Sequence, residues 1–172
     1  MDSNPILGQN AIMIIRNKKR GFEIKRGNFT LGGLDIPKWY SMNGSSNTAQ
    51  GSLEIKCKET LSSTNIYSLD GRERGQLTSD WKRNMTISID WQLNGSPTNY
   101  RIGKSGFWSN TYEVEENNNV LFSLIPKWSW STWSYEYEVE VLEEMPEEKL
   151  IELLIYAVHA ARVQAANQAA MS

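Results

Sequence analysis

From residue 11 to residue 142 apolar and polar side chains alternate with a period of two, in short runs broken by turn-forming residues. Such alternation sets one face of a strand on a core and the other in water. Leu53, Ile55 and Cys57 alternate with Glu54, Lys56 and Lys58, and Met85, Ile87, Ile89, Trp91 and Leu93 alternate with Thr86, Ser88, Asp90 and Gln92. Tyr135, Tyr137, Val139 and Val141 alternate with Glu136, Glu138 and Glu140. Each of these runs predicts a strand. Weaker patterns predict further strands at 11–16, 21–25, 29–34, 38–42, 65–69, 74–77, 98–102, 111–115 and 120–125. Asp70-Gly71 and Asn94-Gly95 are dipeptides that tolerate positive φ in two-residue hairpins, and Asn117-Asn118-Asn119 suits the same task. The polar stretch 43–50 reads as the longest loop, and Gly32-Gly33 as a bulge or sharp bend.

After Leu142 the period changes. Pro146 suits a first helical position, Glu147 and Glu148 suit the positive end of a helix dipole, and the run from Leu150 to Ala161 is apolar except for Glu152, Tyr156 and His159. This predicts one helix over about 146–170 with almost no polar face, and such a helix must be enclosed. Its apolar run falls well short of the roughly 20 residues that span a bilayer, which argues for enclosure in protein and against a transmembrane span. About twelve antiparallel strands closed into a barrel leave a bore too wide for their own side chains. A helix of that length, roughly 37 Å at 1.5 Å per residue, reaches through it. The expected fold is mainly β with one helix: an antiparallel closed barrel of about twelve strands enclosing a C-terminal hydrophobic α-helix, as one domain over 1–172.

Three features resemble the tubby carboxy-terminal-like superfamily, which includes tubby proteins, phospholipid scramblases and LURP-one-related proteins. They are the Tyr67-Ser-Leu-Asp-Gly-Arg-Glu-Arg-Gly-Gln-Leu77 hairpin, the run from Val120 through Lys127-Trp-Ser-Trp-Ser-Thr-Trp to Tyr135-Glu-Tyr-Glu-Val139, and the apolar helix directly after the last strand. The likeness is strongest to small bacterial members and covers about residues 65–161. It implies a twelve-stranded barrel around a central helix. It does not imply one activity, because tubby proteins bind phosphoinositides, scramblases act on membrane lipids and many members have no assigned role.

Composition removes several function classes. A net charge of −2 over 172 residues lacks the clustered basic excess of a nucleic-acid binder. The single cysteine, Cys57, forms no internal disulfide, and the amino terminus lacks an export signal, so a cytoplasmic location, peripheral to membrane at most, is expected. Metal ligation needs several His or Cys side chains, but His159 and Cys57 stand alone. His159 reads as a core histidine and Cys57 as a small buried hydrophobe. Glu136, Glu138 and Glu140 read as an outward acidic edge. No catalytic constellation, metal site or cofactor motif emerges, and an enzyme is not expected.

Two patterns point to binding. Arg16, Lys18, Lys19, Arg20, Lys25 and Arg26 gather around an expected hairpin turn at 17–21, offset by Glu23 alone. With about 1 kcal/mol per cation near an anionic leaflet, and with the family resemblance, they are candidates for docking an anionic lipid or phosphoinositide head group. Their plain alternative is a solvated turn. Trp108, Trp128, Trp130 and Trp133 are candidates for interaction aromatics at a barrel rim, with barrel lining as the competing fate. Two functions follow: a non-enzymatic binding module for an anionic membrane lipid, or an assembly protein whose aromatic and strand-edge surface meets a protein partner or its own copies.

Overall fold

The alternating runs resolve into twelve strands in the computed structural model, which describes residues 12–38, 43–58, 64–80, 84–106, 108–131 and 134–170. They are β1 (Met13–Lys18), β2 (Gly21–Arg26), β3 (Phe29–Asp35), β4 (Gly44–Thr48), β5 (Gly51–Cys57), β6 (Thr64–Leu69), β7 (Arg72–Ser79), β8 (Met85–Ile89), β9 (Thr98–Lys104), β10 (Tyr112–Glu116), β11 (Asn119–Ser129) and β12 (Ser134–Val141). Every strand pairs antiparallel with the next, and β12 returns to β1 with Met13 opposite Val139 and Ile15 opposite Tyr137. The barrel is therefore closed and has no open edge.

Through it runs α1 (Glu147–Ala170), 24 residues or about 36 Å. Every residue from Leu150 to Ala161 is buried, and Leu153, Leu154, Ile155, Tyr156 and Ala157 are wholly inaccessible. Inward side chains of the strands, among them Ile15, Phe22, Ile24, Leu53, Ile55, Tyr67, Leu77, Ile87, Tyr100, Val114 and Phe122, complete one core around the rod. This is the enclosure that the missing polar face demands. His159 lies in it, 1% exposed, with its ring edge-on to Tyr67 at 6.1 Å.

Where α1 comes near the wall, the wall thins. A Cβ added to Gly32 of β3 would lie 2.8 Å from Ile151 Cγ2, so only glycine admits the helix there. The sheet register shifts beside it, between Ile24 and Lys25 of β2, which is the bulge expected at Gly32-Gly33. On β4, a Cβ at Gly44 would meet the Leu34 side chain at 2.8 Å. That crowding explains a strand missed in the sequence. The stretch 43–50, expected as a loop, holds β4, whose inward positions are the small Gly44 and Ser46, and at Gly44 Leu34 already fills the space.

Other expectations need correction. Only Lys38 of the strand expected at 38–42 falls within the described residues, and it sits in a bend. β8 stops at Ile89, so Trp91 and Leu93 lie in the connection 90–97, which replaces the two-residue hairpin expected at Asn94-Gly95. Cys57 is half-buried at the end of its strand and not sealed in the core. Glu136 is 8% exposed and not part of a solvated edge, because Arg16 on the neighbouring β1 reaches it at 3.2 Å.

Glu152 is the single acid within the buried stretch of α1, and its partner comes from β7. Arg74 Nη2 donates to Glu152 Oε2 at 3.1 Å. Nε lies 3.0 Å from Oε1 but off the line a hydrogen bond requires, so that contact is coulombic. Tyr156 donates its hydroxyl to Oε1 at 2.9 Å and stacks on Tyr67 with centroids 4.1 Å apart. Burial pushes the Glu152 carboxyl above the ordinary carboxylate range, opposed by the Arg74 charge and by the hydrogen bonds from Tyr156 and Arg74.

Three outcomes are expected. Gly32→Leu should destabilise the fold by about 1–3 kcal/mol in urea denaturation, since Ile151 cannot retreat inside a closed wall. Glu152→Leu and Arg74→Met should each cost about 3–5 kcal/mol, and the double variant less than either, because each single change strands a buried charge. In Arg74→Met the Glu152 pKa rises further. A folded pKa above the unfolded one stabilises below the unfolded value and loses that contribution as pH rises through the folded value. Denaturation at about pH 5 should therefore show a smaller deficit against wild type than at pH 7, close to the ordinary carboxylate titration.

Candidate functional site at one mouth of the barrel

In an up-and-down barrel successive connections alternate between the two mouths. One mouth carries the β1–β2, β3–β4, β5–β6, β7–β8, β9–β10 and β11–β12 connections, and the second half of α1 emerges there. The other mouth carries the remaining connections and the start of α1.

This alternation splits the six cations expected as one cluster. Lys18, Lys19 and Arg20 crown the β1–β2 turn at the first mouth, whereas Lys25 and Arg26 end β2 at the second. Arg26 lies six positions beyond Arg20 along extended chain, roughly 20 Å away. Several are also paired: Arg16 with Glu136 at 3.2 Å, Lys18 with Asp35, Lys25 with Glu23 at 3.7 Å, and Arg26 with Glu147 at 2.6 Å. Among the described residues no ion pair involves Lys19 or Arg20, and both side chains are exposed.

The tryptophans join the turn cations. Trp108 is 91% exposed, Trp130 73%, Trp128 43% and Tyr135 59%, so these rings are rim and not barrel lining. Trp133 lies outside the described residues. Trp128 and Tyr135 face each other across the β11–β12 ladder with centroids 5.1 Å apart, and Trp130 meets Trp128 edge-on at 6.0 Å. Trp128 shares the inward side with Phe122 and Leu124, but β11 outruns its neighbours, so the inward face of this hairpin projects past the mouth. Around the wall the order is β2, β1, β12, β11, β10, β9. The basic turn, the aromatic hairpin and the Trp108 connection therefore form one continuous arc, with Lys104 and Lys127 in the same arc.

The arc is tied to α1 from within. Arg162 Nη2 donates to Asn17 Oδ1 at 3.3 Å and to the Gly21 carbonyl at 3.4 Å, and its guanidinium lies 5.5 Å from the centre of the Phe22 ring. Asn17 Nδ2 donates in turn to the Tyr135 carbonyl at 2.8 Å. Burial lowers the Arg162 pKa from its ordinary value, opposed by the nearby Tyr137. Helix, basic turn and aromatic hairpin thus share one polar joint that sequence inspection misses, because Asn17 and Arg162 stand 145 positions apart.

Charge divides between the mouths. Among the described residues, Lys18, Lys19, Arg20, Lys38, Lys58, Lys104, Lys127 and Arg162 lie toward the first mouth, with Asp35, Asp80, Glu113 and Glu136. Asp70, Glu73, Asp90, Glu115, Glu116, Glu140, Glu143, Glu144, Glu147 and Glu148 lie toward the second, with Lys25, Arg26, Arg72, Arg74 and Lys149. The near-neutral total hides a basic end and an acidic end. Compared with family models, with curated proteins and with solved structures, the chain matches none.

Proposed function

We propose that this chain is a non-enzymatic binding module that docks, basic mouth first, on an anionic lipid surface. The reading is carried by one observation: exposed cations and exposed tryptophans occupy the same arc of the same mouth. Lys18, Lys19 and Arg20 meet head groups, phosphoinositides among them, at about 1 kcal/mol per cation. Trp108, Trp128, Trp130 and Tyr135 settle at head-group depth, the layer that amphipathic aromatic rings favour. No helix of the described chain is long and apolar enough to cross a membrane. The tubby-like resemblance, which includes lipid-directed members, agrees with this role.

The opposite charge of the two mouths favours a second reading, head-to-tail association of copies, which in an open arrangement builds filaments and not closed rings. Flotation with phosphatidylserine-containing vesicles separates the two. Wild type should float with these vesicles, not with pure phosphatidylcholine, and less as salt rises. Lys19→Glu with Arg20→Glu should weaken binding at least about tenfold, and Trp130→Ala should weaken it without changing the salt dependence. Wild-type protein that ignores anionic vesicles, yet grows in mass with concentration in solution, would replace the lipid reading with the assembly one.

A further inference from the structure

At the acidic mouth, away from the tryptophan arc, a cavity of about 570 Å³ opens between the 90–97 connection, β7 and the first turn of α1. Its size suits a small molecule. The floor is Trp91, whose Nε1–H donates to the Tyr100 hydroxyl at 2.8 Å. Two cations sit over that indole, the Arg74 guanidinium at 5.2 Å and the Lys149 ammonium at 5.1 Å from the ring centroid.

The Arg74 charge is paired with Glu152, but one of its nitrogens and the whole Lys149 ammonium remain for a ligand. Arg74 is 6% exposed, yet only its Nε and Nη2 face Glu152 and Gln50. Among the described residues its Nη1 forms no hydrogen bond and Lys149 forms no ion pair. The Nη1 group is reached by solvent at the cavity, which leaves its donors open to an acceptor there. The first turn of α1 adds amide groups at the positive end of a helix dipole.

The opposite wall is held stiffly. The Asp90 carboxylate accepts from the amides of Asn94 at 3.1 Å and Gly95 at 2.7 Å, and Leu93 is fixed at φ 53°. Asn94 and Ser96 thereby stand beside the cavity on a rigid connection. One acid lines the cavity, Glu148, whose carboxylate accepts from Gln50 Nε2 at 3.2 Å, and the mouth around it is acidic. That negative field penalises a dianion more than a monoanion.

We infer that this cavity binds a small monocarboxylate carrying hydroxyl or amino groups. Arg74 Nη1 and Lys149 take the carboxylate, the edge of Trp91 packs on the carbon skeleton, and Asn94 and Ser96 meet the polar substituents. The inference is independent of lipid docking, which uses the other mouth.

The test is a titration read through the Trp91 indole proton–nitrogen resonance. Gluconate, lactate and glutamate are the probes, with sorbitol and inorganic phosphate as parallel arms. At least one carboxylate should give a saturable shift below about 10 mM, with sorbitol and phosphate at least about tenfold weaker. Lys149→Gln should weaken the carboxylate at least fivefold (about 1 kcal/mol) and leave the melting temperature unchanged. It is the informative variant, because Arg74→Gln also disturbs Glu152. Lys19→Glu with Arg20→Glu should leave the titration as it is in wild type. No saturable shift with any of the three carboxylates, an equal response to sorbitol, tighter binding of phosphate, or full affinity in Lys149→Gln overturns the inference.

Discussion

A ring of twelve strands encloses more space than its own side chains can occupy, and the whole molecule is organised around filling it. α1 fills that bore, so the helix can afford almost no polar face. From this follow the unbroken burial from Leu150 to Ala161, the absent Cβ at Gly32 where Ile151 touches the wall, and the small inward residues of β4. Glu152 follows as well. An acid inside such a rod persists only because Arg74 enters from β7 to meet it, and the two together fix how far and at what rotation the rod sits.

The rod also has a direction. Its positive end opens among Glu143, Glu144, Glu147 and Glu148, and its negative end emerges near Lys18, Lys19 and Arg20. Both groupings have the sign that a helix dipole favours. The charge gradient along the barrel is therefore compatible with the fold's own electrostatics, and it makes the mouths chemically distinct. One presents cations among exposed indoles. The other presents a cavity whose two cations lie within an acidic rim.

Much of this was readable in the residues, and the failures share a cause. Alternation reveals a strand where the interior accepts large side chains, as at Leu53 and Ile55 or Ile87 and Ile89, and the enclosed helix with its barrel followed from such runs. β4 escaped because its inward positions are small, and at Gly44 Leu34 had taken the space a side chain would have filled. Trp128 carries the parity of a core residue, but parity says nothing about where a barrel ends, and its hairpin continues past the mouth. The cations from Arg16 to Arg26 are neighbours along the chain, yet a strand lies between Arg20 and Arg26 and carries them to opposite ends. Arg74, Trp91 and Lys149 gave no signal, since nothing local joins a strand, a connection and a helix start.

The seam where β1 meets β12 joins residues about 120 positions apart, as the Arg16 to Glu136 contact records. Until the last strand is made, a growing chain holds an unfinished curved sheet with two bare margins, and the rod that should fill it has not yet left the ribosome. Closure thus waits for the last strand, and until then the sheet keeps margins open to stray pairing.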